Sequence, residues 1–268
     1  MIARVGSLAF TLAVASSALA NPRPLPFTYT TATMPEGQVE VEQYADAVPL
    51  RGTATANGRP QWYLSSQFQT EIEIGLTSKL ELGLYFVYAP SAASSALTNT
   101  TTPTERTGLK QRLRYRFANE GEWPVDVALY GELVENQDEI ELEAKLILHR
   151  RFGPLRVATN VTGERELYFN GNREWVFQPT LGLSWEISPS IRPGLEGFVR
   201  VEFPDAKPPQ RAFNLGPHTY VGPVMMVAIG SLWWTTGVYA RLTDRRHTLE
   251  PGDAFGNVWV RTVVGVGL

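Results

Sequence analysis

The 268-residue chain contains no cysteine. Disulfide staples and thiolate metal sites are therefore excluded, and stability has to come from hydrogen-bonded structure and burial. No stretch reaches the roughly 20 consecutive apolar residues that an α-helix needs to span a bilayer. Charge is nearly balanced, 24 basic against 27 acidic residues for a net of −3, which removes the electrostatic footprint of a nucleic-acid binder. Histidine is scarce: His149, His218 and His247 fall on separate segments. There is no metal-ligand cluster and no phosphate-binding glycine loop, so neither a metal nor a cofactor is expected. Helical spacing is hard to find anywhere.

At the start of the chain, Met1 to Ala20 combine a base at Arg4, an apolar stretch from Leu8 to Val14 and a small-residue end, Ala18-Leu19-Ala20. This reads as a cleavable secretory signal, so the expected mature chain is one domain over 21–268. Without the signal, 23 bases face 27 acids, a net charge of about −4.

From residue 38 onward the recurring pattern is alternation with period two, which puts successive side chains on opposite faces of a strand. Phe68, Thr70, Ile72, Ile74 and Leu76 alternate with Gln67, Gln69, Glu71 and Glu73; after Thr77-Ser78 the pattern resumes as Leu80, Leu82, Leu84, Phe86 and Tyr88. Leu109, Leu113, Tyr115 and Phe117 oppose Lys110, Arg112, Arg114 and Arg116, and Ile140, Leu142, Ala144 and Leu146 oppose Glu139, Glu141, Glu143 and Lys145. With a weaker first strand near Gln38 to Ala45, and late strands over Phe213–Ile229, Leu232–Leu242 and Val258–Leu268, the count is about twelve. Connections expected to be short (Thr77-Ser78, Asn119–Glu122, Phe152–Pro154, Ser188–Ser190, Gly230-Ser231) alternate with longer ones (46–60, 89–106, 163–173, 204–212, 243–257). Glu135–Asp138 is a short exception. This is the rhythm of an antiparallel up-and-down barrel with short periplasmic turns and longer outer loops.

A soluble β-sandwich or lipid-binding barrel shares the period but turns its apolar face inward. Three features favour a membrane barrel. The apolar faces carry almost no charge apart from Arg150, where a basic side chain at the lipid midplane costs roughly 2–4 kcal/mol. Aromatics gather at strand ends, as expected of two interfacial girdles: Tyr115, Phe117, Trp123, Trp185, Trp233 and Trp234 near the short turns, Phe86, Tyr88, Trp175, Phe203 and Phe213 near the loops. The chain also ends inside a strand, Val260, Thr262, Val264, Val266, Leu268, like an outer-membrane assembly signal. Lipid and the barrel-assembly machinery are the expected partners, and the outer membrane the expected location.

With the apolar face outside, the lumen receives Glu71, Glu73, Glu139, Glu141 and Glu143 together with Lys110, Arg112, Arg114, Arg116 and Arg200. A positive ladder, Arg112 to Arg116, lies two strands from a negative one, Glu139 to Glu143. These are candidates for ion or solute selectivity, or they pair and fill the lumen. No catalytic site is legible: His218 beside Thr219 is the nearest pair, and neighbours along a strand point to opposite faces. His218 is therefore expected to be a structural, lumen-facing histidine, and the protein no enzyme.

Three stretches then carry a resemblance: Met34-Pro35-Glu36-Gly37 leading into Val39-Glu40-Val41-Glu42, the run Gln69 to Leu82, and Gly222-Pro223 before Trp233-Trp234-Thr235-Thr236-Gly237. Together they resemble poorly characterised bacterial outer-membrane barrels similar to the phenol-degradation meta-pathway transporter-like proteins. The resemblance implies an outer-membrane barrel and a transport role for small organic molecules, with no catalytic residue. The expectation is a narrow channel or uptake route for small organic or hydrophobic solutes. The alternatives are a sealed structural or adhesive barrel and, behind it, a soluble periplasmic lipid-binding protein.

Overall fold

The computed structural model describes residues 20–52, 61–91, 104–205, 216–243, 245 and 255–268. Twelve strands follow one another: β1 (Val39–Gly52), β2 (Gln61–Gly75), β3 (Leu80–Ser91), β4 (Thr104–Arg116), β5 (Asp126–Asn136), β6 (Glu139–Phe152), β7 (Leu155–Tyr168), β8 (Arg173–Trp185), β9 (Ile191–Pro204), β10 (His218–Ile229), β11 (Leu232–Arg241) and β12 (Val258–Gly267). Each pairs antiparallel with its sequence neighbours, and β1 pairs with β12 from Glu40↔Gly267 to Ala47↔Val260. The sheet is thereby closed, and no edge is left for another chain to pair with. No helix occurs among the described residues.

Alternation dictates which side chains face out. Along β5 buried and accessible residues alternate almost without a break: Asp126, Ala128, Tyr130, Glu132 and Val134 point inward, while Leu129 and Leu133 are exposed. Around the wall Leu84, Leu109, Leu113, Leu142, Leu181 and Leu195 are exposed, whereas Glu71, Glu73, Glu81 and Arg112 are fully buried. Water would select the opposite arrangement. An outer surface this apolar, on a sheet closed by the β1–β12 ladder, is suited to hydrocarbon. A closed barrel with lipid-facing leucines and a charged interior sits in an outer membrane.

Several boundaries move. The first strand runs to Gly52 instead of ending near Ala45, and β7 continues to Tyr168, so the connection expected over 163–173 shrinks to 169–172. Between β5 and β6 only Gln137 and Asp138 remain, while the inner connection 117–125 is longer than expected. Connection length is therefore a weaker guide here than strand parity. Two inner hairpins, at Gly153-Pro154 and Gly230-Ser231, rest on glycines with φ of 60° and 63°. That left-handed conformation suits a tight turn and is disfavoured for other residues. Arg150, the charge on the apolar face, donates from Nη1 to the Trp123 carbonyl at 2.8 Å, at the short-turn end.

The girdles form largely as expected: Tyr115, Phe117, Trp123, Trp185 and Trp234 are exposed at one end, and Phe86, Trp175 and Phe203 at the other. Trp233 is a correction. It faces the lumen, is 0% exposed and donates to Glu40 Oε1 at 2.9 Å. Adjacent strand residues point to opposite faces, so one of two consecutive tryptophans had to turn inward. Its ring fills the space over Gly265, where a Cβ would stand 2.3 Å from Trp233 Cε2. Phe213 lies outside the described residues.

Candidate functional site: the lumen

The segment before β1 is inside the barrel. Pro22, Pro24 and Pro26 fix φ at every second residue and favour an extended chain, too irregular to satisfy its own backbone groups. Lumen side chains satisfy them instead. Going backward from β1, the chain crosses over Gly75, where a Cβ would lie 2.0 Å from the Pro35 carbonyl oxygen. Met34 N donates to Glu81 at 2.6 Å. Tyr29 exchanges two bonds with the Asn160 amide, at 2.7 and 2.9 Å. Phe27 N and Thr28 N both donate to Glu196 Oε1, at 3.0 and 2.5 Å. The chain then turns back: Leu25 rests on Gly182, where a Cβ would meet its Cδ1 at 2.3 Å. Thr235 donates to the Arg23 carbonyl at 2.5 Å, and Asn21 N donates to Glu40 Oε2 at 2.9 Å.

At the inner tip of this loop, Phe27 stands among Phe198, Tyr239 and Trp259, with ring centroids 4.3, 5.2 and 5.7 Å away. The Arg261 guanidinium lies 3.9 Å from its centroid. Tyr29 has Arg23 at 3.9 Å and Lys145 at 4.8 Å. Aromatic faces next to cations in a desolvated setting add attraction beyond area burial.

Below the tip the charges pair tightly. Arg112 bonds Glu71, reaches Glu73 at 2.5 Å and Glu81 at 2.6 Å; Arg114 reaches Glu81 at 2.7 Å; Arg23 meets Glu42 at 3.2 Å and bonds the Tyr44 hydroxyl. The expected positive ladder thus divides. Arg112 and Arg114 are buried beneath the segment, while Arg116 leaves the lumen and donates to the Ser78 carbonyl at 2.6 and 3.0 Å. Of the negative ladder, Glu139 accepts from Asn136 at 2.9 Å, and Glu143 pairs with Lys145 at 2.8 Å.

Above the tip, toward the outer loops, lies a cavity of 470 Å³. Its walls include Lys110, Glu132, Glu141, Glu143, Lys145, Glu164 and Arg200, and its floor Arg23, Phe27 and Tyr29. Lys110 pairs with Glu132 at 3.1 Å. Arg200 is shared among Glu164, Glu166 and Glu202 at 3.0–3.1 Å. Between the two limbs of the segment, by contrast, the space is 10 Å³, room for about one water. Outside the strands, Asn119 holds the Glu122 carboxyl below its usual range by two hydrogen bonds. Burial would raise Glu186, but Arg156 and its neighbours Arg192 and Arg151 bring it below the ordinary value.

His218 faces the lumen, buried, with Nδ1 2.8 Å from Arg241 Nη2 and its ring stacked on Phe255. His247 lies outside the described residues. His149 acquires neighbours that its sequence position does not suggest, Thr31 Oγ1 at 3.5 Å and Asp126 Oδ2 at 3.8 Å. Both face Nδ1, whereas a nucleophile–His–Asp relay needs them on opposite ring nitrogens.

The plug was not foreseen from the sequence. A proline at every second position, with Leu25, Phe27 and Tyr29 between or just beyond, was the available signal, since a solvated linker has little use for three large apolar side chains.

No protein-family model matches the chain, and no curated protein matches it. Solved structures do. An outer-membrane channel from Pseudomonas putida F1 superposes with a TM-score of 0.60 at 12% identity, covering 89% of this chain and 98% of that one. The fold they share is the outer-membrane barrel. The NanC porin gives 0.54 at 8% identity over 85% and 98%. The beta domain of the Bordetella autotransporter BrkA gives 0.50 at 12% over 86% and 99%. At these identities the likeness is one of architecture.

Proposed function

We propose that this outer-membrane barrel is a narrow uptake route for small organic solutes, closed at rest by its own N-terminal segment. The observation that carries the reading is the 470 Å³ cavity whose floor is that segment instead of barrel wall. Its volume falls within the usual span of small-ligand pockets, about 300–1,000 Å³. Tyr29, Tyr85, Tyr130 and Trp259 offer aromatic faces there, and Lys110, Lys145 and Arg200 stand opposite Glu132, Glu141, Glu143 and Glu164. Such a lining suits a solute with an apolar body and a polar or charged end. The resemblance to phenol-degradation transporter-like barrels and the channel and porin among the structural neighbours support the same reading.

Selectivity, on this reading, belongs to the cavity charges Lys110, Glu141, Glu143 and Arg200, while Arg112, Glu71 and Glu73 hold the gate shut. The terminal strand serves recognition by the barrel-assembly machinery. A sealed barrel is the second reading, favoured by the fully buried Arg112–Glu71–Glu73–Glu81 web.

Planar-bilayer recording separates the two. The full chain should give rare, small conductance steps, and a chain lacking residues 21–34 should give frequent, larger ones. A truncated barrel that folds, runs as a heat-modifiable band and stays silent would reject the channel.

A further inference from the structure

Five carboxylates crowd the short-turn half of the lumen, Glu40, Glu42, Glu71, Glu73 and Glu81, all 0% exposed. Three guanidiniums, Arg23, Arg112 and Arg114, reach four of them. Among the described residues Glu40 receives no guanidinium; it accepts from Trp233 Nε1 and the backbone nitrogen of Asn21, each at 2.9 Å. Carboxylate oxygens of Glu40, Glu42 and Glu73 lie within 4.8 Å of one another. Among the described residues, Glu42 Oε1 and Glu73 Oε2 are buried without a hydrogen-bond donor. Buried acids in such proximity have to be neutralised, by shared protons or by a cation.

We propose that this cation is the protein's own α-ammonium group, released at Asn21 when the leader is cut after Ala20. An amide N–H at Asn21 gives one proton to Glu40. The ammonium that replaces it carries a full charge and three protons, for a nest of three carboxylates. Cleavage would then do more than free the barrel from its leader: it makes the group that anchors the end of the segment in the lumen. The barrel would be an intramolecular receptor for a primary amine, and seating of the plug would depend on processing. This holds whether or not the channel conducts, because it concerns the docking of the amine and not the passage of solute.

The test uses the exported, processed protein in detergent and amine acylation at pH 7.5, with the N-terminal peptide followed by mass spectrometry. Acylation requires the neutral amine. Every unit by which the acids raise its pKa slows labelling about tenfold. We expect the α-amine to label at least about tenfold more slowly in the folded barrel than in urea, and Glu40→Gln to remove most of that protection. Because Glu40→Gln could impair folding, a second variant leaves the nest intact: Gly-Ser inserted before Asn21, with the band shift on heating reporting the fold. Its plug should be cut by added protease at the 21–34 segment under conditions that spare the processed protein. Equal labelling in folded and unfolded protein, equal protease resistance with the insertion, or an intact mass placing the mature N-terminus elsewhere would each overturn the proposal. So would a chelator that unseats the plug, since the cation would then be a metal ion.

Discussion

The two halves of the lumen are made of the same residue types and behave differently. In the short-turn half, arginines and glutamates are packed at 0–2% exposure around a segment with backbone bonds to Glu81, Asn160 and Glu196. In the outer half, Arg200 at 22% and Lys110 at 19% side-chain exposure pair with acids along the walls of an open cavity. Among the described residues, 21–36 pack through the short-turn half and only floor the outer one. Charge pairing alone leaves a barrel of this width open, and a strand-free insertion converts half of it into a core.

The sharpest way to break the comparison is to remove the central cation of each half. Arg112→Met strands Glu73 and leaves Glu71 and Glu81 each one partner short in a dry site, which should cost about 3–5 kcal/mol; Arg200→Met, in contact with water, should cost about 1 kcal/mol or less. Urea unfolding in detergent, followed by tryptophan fluorescence, reads both, and equal losses would mean that the short-turn half is wetter than its packing indicates. Next in size is Gly182→Val, which puts a branched side chain where Leu25 sits. Overpacking of this kind costs about 1–3 kcal/mol, and here it should be relieved by expelling the segment, so conductance should rise toward that of the 21–34 deletion while the barrel stays folded.

Smaller effects sharpen the outer half. Lys110→Gln with Arg200→Gln should shift reversal potentials toward cations and leave the unfolding midpoint almost unchanged. An unaltered preference would move selectivity out of the cavity. The smallest effect concerns pH. Glu186 is held below its ordinary value by Arg156 and its neighbours, so its contribution is present above the unfolded carboxylate pKa, about 4.3, and is lost as pH falls through the depressed folded value. Glu186→Gln should flatten the acid limb of a melting curve slightly below pH 4.3, and by well under 1 kcal/mol for an ion pair that water still reaches.

The wall was legible because a strand writes itself locally: Glu71, Ile72, Glu73 and Ile74 announce two faces within four residues. Membrane orientation followed from charge, since Arg112 and Arg114 cannot face lipid. Trp233 was misplaced because grouping it with Trp234 by composition ignored the pleat that separates them. The segment was illegible for a different reason. Its partners are distant in the chain, Leu25 on Gly182 and Tyr29 on Asn160, and irregular backbone carries no period to read. The division of the ladder at Arg116 depended on where β4 stops, a boundary that alternation does not mark.

The segment touches β1, β3, β7, β8, β9 and β11 at once, through Glu40, Glu81, Asn160, Gly182, Glu196 and Thr235. Those contacts fix distances across the lumen as well as along it. Barrel diameter grows with strand number, so a sheet closed with one hairpin fewer would crush Leu25 against the wall, and one with an extra hairpin would leave Asn160 or Glu196 out of reach. The same sixteen residues that fill the short-turn half of the lumen are therefore matched to the circumference of a twelve-stranded ring, a gauge that a ring of another size would not fit.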